Sequence, residues 1–246
     1  MSKKGFFESK NPAMNEKTFR KIAQTVEYDG PAMTVQGAIN KSFILLGIML
    51  LTSVLSFTSA NPLYIWGGAI LGLIIVVVAS FKPHLSPTLA PLYAGVEGLF
   101  VGGITAMYAG LYAGIVFQAV TLTIAILFMM LFIYKTGIIK VTNKFRTGVV
   151  MATGGVLIVY LLSWVLRMFG IHMPYLHSGG MMGIGISLVI IGIASLNLLL
   201  DFDNFEKGEQ YGLPNYMEWF SAMGLLITLV WLYVEILRLL AILSDR

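Results

Sequence analysis

Leu111 to Tyr134 reads LYAGIVFQAVTLTIAILFMMLFIY, and no charged side chain interrupts it. A helix of about 20 mostly apolar residues crosses the hydrocarbon core of a bilayer. The same pattern recurs along the chain. Apolar stretches run from about Ser42 to Thr58, Leu63 to Phe81, Leu89 to Tyr108, Gly148 to Leu166, Met181 to Leu200 and Trp219 to Leu240, and only the third and the last of these six carry charges, at Glu97 and at Glu235 and Arg238. With Leu111–Tyr134 they make seven predicted spans, and the fold class is an all-α, seven-helix membrane bundle.

Composition agrees. The 246 residues are 57% hydrophobic and 11% charged, against about a quarter charged in a soluble domain. The apolar residues come in blocks, not scattered as in a soluble core. Residues 1–40 are polar and mixed in charge, and residues 41–246 form one membrane domain. Within the polar segment, Glu16 to Ile22 reads as a short surface helix ended by Gly30-Pro31. The first apolar stretch begins only near Ser42, too late for a signal peptide, so it is read as a retained span. There are no cysteines. That excludes disulfides, thiolate zinc sites, iron–sulfur clusters and a cysteine nucleophile. No basic stripe with interleaved aromatics points to nucleic acid.

Lysines and arginines concentrate on the cytoplasmic side of membrane proteins. With the N-terminus inside, that side takes thirteen of them, including Lys41, Lys82, Lys135, Lys140, Lys144, Arg146 and Lys207. The outer side takes three, Arg167, Arg238 and Arg246. The expected topology is N-terminus in and C-terminus out, in a bacterial inner membrane. Glycines four apart, at Gly68 and Gly72, Gly98 and Gly102, and Gly110 and Gly114, suggest close helix packing. Frequent glycine in membrane helices accounts for any one pair equally well.

Ionisable groups at membrane depth are costly and mark candidate sites. Glu97 is the only carboxylate between Gly30 and Leu200, and it lies mid-way along the third span. It reads either as a proton or cation site or as a protonated carboxyl bonded to a neighbouring helix. Asp201 and Asp203 follow the sixth span. Asp203 reads as part of a solvated helix end and a polar loop to Asn215, and Asp201 as partly buried. Glu235 lies in the last span with Arg238 three residues on, the spacing of a helical ion pair. Glu218 opens that span. His84, His172 and His177 fall in loops without further metal ligands. The last span has no lysine for a retinal Schiff base, and the Gly-x-Ser-Gly and Gly-x-Gly-Asp motifs of intramembrane proteases are absent. No nucleophile and base stand out, so no enzyme and no cofactor are expected.

Several segments together resemble the Bax-inhibitor (transmembrane Bax-inhibitor-motif) family, in a bacterial branch with an extended polar N-terminus. They are Asn11-Pro12, Met33 to Lys41, Glu97-Gly98-Leu99, Leu200-Asp201 and Leu232-Tyr233-Val234-Glu235. The resemblance covers nearly the whole chain. It implies seven helices that pass calcium in a pH-dependent way, with a carboxylate pair between the sixth and seventh spans sensing protons. Carried over, that pair is Asp201 and Glu235, two like charges sharing a proton. Glu218 is a rival partner, because Glu235 lies about 24 Å along a helix starting at Trp219, while Asp201 lies near the inner surface. The arginine that latches this aspartate in some relatives has no match in the second span; Lys82 is the nearest basic group. The expected function is a pH-responsive cation (calcium) leak channel. The alternative is a regulatory or scaffold protein that binds another membrane protein.

Overall fold

The structure, a computed structural model, describes residues 30–59, 61–170 and 180–245. The expected surface helix at 16–22, and His172 and His177, lie outside the described residues. Seven helices are long and apolar enough to cross a membrane. They are α1 (Val35–Ser59), α2 (Pro62–Phe81), α3 (Ser86–Leu111), α4 (Ile115–Thr136), α5 (Asn143–Met168), α6 (Met181–Gln210) and α7 (Tyr216–Ser244).

Local chemistry sets the boundaries. The Asn61 side chain accepts a hydrogen bond from the Leu63 amide at 2.9 Å, and Pro62 opens α2. Thr142 caps α5 by accepting from the Phe145 amide at 3.2 Å. Gly114 and Gly137 bracket α4 with φ of 76° and 69°, a left-handed conformation that favours glycine.

Two boundaries depart from expectation. Residues 203–210, read as loop, continue α6, and the α6–α7 connection shrinks to residues 211–215. At 1.5 Å per residue the 30 residues of α6 span about 45 Å, more than the roughly 30 Å hydrocarbon core. Hydropathy marks where a helix leaves the lipid, not where it ends. At the other boundary, α1 begins at Val35, ahead of its apolar run.

α7 is the hub, with 67% of its apolar stretch buried. α1, α3, α4 and α6 pack on it, while α2 packs on α3 and α5 on α6. Large apolar side chains such as Phe43, Leu51, Trp66, Phe117 and Leu157 remain exposed on the outward faces, as lipid contact requires. Lipid offers helices no hydrophobic drive to associate, so close backbone approach matters. Gly98 lies against the Met49 carbonyl and Gly102 against the Ser53 carbonyl, seating α3 on α1. Gly68 lies against Val96 and Phe100, seating α2 on α3. The third expected pair does not pack: Gly110 and Gly114 have open space where a Cβ would stand.

The helix ends gather in two groups. At one end, the Met33 amide donates to the Leu213 carbonyl at 2.6 Å and the Asn215 amide to the Pro31 carbonyl at 3.1 Å. The Tyr134 hydroxyl donates to Glu206 there at 2.8 Å. At the other end, the Tyr112 hydroxyl donates to Asp245 at 2.6 Å.

Candidate functional site

Asp201 is buried near the first of these ends, between α5, α6 and α7. Thr228 of α7 is its hydrogen-bonding neighbour, and Arg146 of α5 is close enough to act on it electrostatically. A Cβ on Gly224 would stand 3.8 Å from its Oδ1. Its Oδ2 has no hydrogen-bond partner among the described residues. A buried carboxyl oxygen without a partner is costly and calls for an explanation.

Asp201 and Glu235 are not brought together. Glu235 lies seven residues beyond Thr228, about 10 Å further along α7. It accepts from Arg238 at 3.2 Å and from the Tyr160 hydroxyl at 2.8 Å. The ion pair expected from the three-residue spacing is therefore formed. Glu218 does not meet Asp201 either. It pairs with Lys41 and accepts from the Thr34 amide at 2.8 Å, tying the start of α1 to the start of α7. The α7 positions that face Asp201, Gly224 and Thr228, carry no titratable group. A motif match in sequence cannot settle the register between two helices.

Asp203 is a second correction. It is buried, not solvated, paired with Arg146 and with Lys207 at 3.0 Å. Arg146 also donates to the Asn204 side chain at 2.8 Å. The cation beside the aspartates thus comes from α5, a residue counted as a loop charge in the sequence, and not from Lys82.

Glu97 is buried in the α2–α3 contact. A Cβ on Gly72 would stand 2.8 Å from its Oε2, and Tyr93, one turn back, hydrogen-bonds its carboxyl. The glycine face of α2 makes room for this carboxyl.

Three polar contacts line one face of α5 and were not anticipated. Arg146 meets Asp203 and Asn204, Thr153 accepts from the Asn197 side chain at 2.8 Å, and Tyr160 meets Glu235 and Arg238. Their seven-residue spacing is two helical turns and was the readable signal.

A cavity of about 620 Å³ lies along α5 and α7, lined by Asp245, Tyr108, Arg238, Glu235 and Tyr160 and by apolar side chains such as Leu157 and Ile242. It extends to Trp231 and Thr153. Asp245 to Trp231 is about 21 Å of helix, and Trp231 is one turn from Thr228. The cavity therefore reaches within about one turn of Asp201. Between them lie the Thr153–Asn197 bond and the buried Val149. Among the described residues, no three His, Asp or Glu side chains gather as a metal site.

A bundle of seven spanning helices with carboxylates buried between them defines a multi-pass membrane protein. The pattern of the Bax inhibitor 1 like family matches residues 11–245, nearly the whole chain, and the chain belongs to that family. No curated protein matches it at a significant level.

Proposed function

We propose that this protein is a pH-responsive cation leak channel, with calcium as the permeant ion, and that Asp201 is its proton-sensing group. The observation that carries the reading is the buried, half-partnered carboxyl of Asp201, about one turn beyond Trp231 in a cavity that also holds Glu235, Arg238 and Tyr160. On the other side of Asp201 lie the paired side chains of Asp203, Asn204 and Arg146. Calcium is a hard cation that seeks carboxylate and carbonyl oxygens. An ionised Asp201 offers such a ligand; a protonated one does not.

The sensing differs from the expected carboxylate pair. Thr228 faces Asp201, so no repulsion between two carboxylates drives the helices apart. Ionisation instead places a charge with no direct ion pair, and only Arg146 nearby, in a buried layer, which favours water and cation entry. Glu97 lies across the bundle in the α2–α3 contact and is a secondary proton site. The basic end of the bundle, with Lys41, Lys82, Lys135, Lys140, Lys144, Arg146 and Lys207, faces the cytoplasm of a bacterial cell under this reading. The C-terminus and the cavity mouth then face out.

Calcium uptake into liposomes holding the purified protein, followed with an encapsulated dye, tests the proposal. Uptake above that of empty liposomes, rising with pH, is expected. Uptake equal to empty liposomes at every pH overturns it.

A second reading, a scaffold for another membrane protein, is favoured by one feature. Gly148, Gly154, Gly155, Gly185 and Gly192 on α5 and α6 all face open space. Such bare small residues suit a docking helix. Co-purification of a stoichiometric membrane partner, with no calcium uptake, would support it.

A further inference from the structure

The α5–α6 contact has a regular register. Arg146 meets Asn204 and Thr153 meets Asn197, so seven residues forward on α5 match seven residues back on α6. Continued, this antiparallel register sets Val149 level with Asp201, and Ser163 level with Ser187. All four side chains are buried. The Asp201 Oδ2 and Ser187 Oγ atoms both lack a hydrogen-bond partner among the described residues. The contact is thus a seam of polar rungs, and α6 carries two buried, unsatisfied groups beside it.

α5 is also the least anchored helix. It is the least buried of the seven spans, and its buried residues are Val149 and Ser163. Beside the seam a second cavity of about 600 Å³, with Gly155 on one wall and Gly185 on the other, separates the outer halves of α5 and α6. Few apolar contacts hold α5 in place; polar latches at Arg146, Thr153 and Tyr160 do. Polar groups of this kind fix register at the expense of tight packing.

We propose that α5 is the moving gate of the pathway: it parts from α6 and α7 at these latches, carrying Val149 away from the level of Asp201. This rests on the channel reading. The two buried, unsatisfied polar groups of α6 are hydrated once the seam opens. The Tyr160 latch is the one nearest the cavity mouth, where its hydroxyl donates to Glu235 and accepts from Arg238 at 2.6 Å.

The chain has no cysteine, so single cysteines report cleanly. Val149→Cys, in the full-length protein in liposomes, is exposed to a small water-soluble thiosulfonate reagent. Adding Tyr160→Phe, which keeps the ring and removes the latch, should speed labelling by roughly tenfold, the effect expected from one lost hydrogen bond to a charged group. In parallel, Val156→Cys with Ala194→Cys, level in the register, is joined by a short bis-maleimide. Joining should abolish most calcium uptake. An unchanged labelling rate in a Tyr160→Phe protein that melts like its parent overturns the gate. Undiminished uptake by the joined protein also overturns it, and leaves the channel reading standing. Faster labelling with no uptake by any variant means that α5 moves but gates nothing, and the channel reading falls with it.

Discussion

Asp201 differs from the other buried carboxylates in what surrounds it. Glu218 has Lys41, Asp203 has Arg146 and Lys207, and Glu235 has Arg238. These three are ion-paired, and their first effect is on structure. Replacing Glu235 with Gln leaves Arg238 without its carboxylate and should cost roughly 1–3 kcal/mol of stability. A thermal melt in detergent measures it, and the slope of calcium uptake against pH should be nearly unchanged. A flattened slope in this variant would restore Glu235 as a proton sensor. Glu97 is bonded to Tyr93 and faces Gly72, so Glu97→Gln should keep the fold, with the amide accepting the same hydroxyl. Its calcium uptake or pH response should change. Identical uptake at every pH would remove Glu97 from the ion chemistry. The sequence singled out Glu97 and Asp201 because carboxylates are rare among apolar residues. It could not distinguish the paired from the unpaired ones, since Arg146 is 55 positions from Asp201.

At the level of helices, the bundle divides into a tightly seated half and a loosely held one. Adding a methyl at Gly98 or Gly102 drives it into the Met49 or Ser53 carbonyl. Backbone cannot give way as a side-chain tip can, so each Gly→Ala change should cost roughly 1–3 kcal/mol. Gly110→Ala meets open space and should be neutral or slightly stabilising. Melting temperatures of the three variants check this, and equal losses at all three would contradict the packing. The glycine spacing was visible in the sequence, but which pairs touch a neighbour depends on helix rotation. Span number and order were legible because bilayer thickness fixes the length of an apolar run. The end of α6 was not, because Asp203 to Gln210 are polar yet helical, held by Arg146, Lys207 and Tyr134. The polar stripe on α5 was legible in principle: Arg146, Thr153 and Tyr160 recur every seven residues, but apolar side chains between them obscure the period.

Across the whole molecule, charge and depth define a direction. The basic end holds seven of the described lysines and arginines, while Arg167 and Arg238 lie toward the other. Single cysteines in the 137–142 connection should resist an impermeant thiol reagent in intact cells, and a cysteine at Asp245 should react. The reverse pattern would invert the topology and put the cavity mouth inside. Orientation then decides which compartment's pH reaches Asp201 through the cavity, and which reaches it past Arg146 and Asp203. The central claim, that protonation of Asp201 controls cation leak, is tested most directly by comparing calcium uptake by the native protein and by Asp201→Asn in liposomes across mildly acidic to mildly alkaline pH. The native protein should take up more calcium as pH rises and Asp201 ionises, and Asp201→Asn should give a profile nearly flat with pH. A variant that keeps the native pH dependence would contradict the claim.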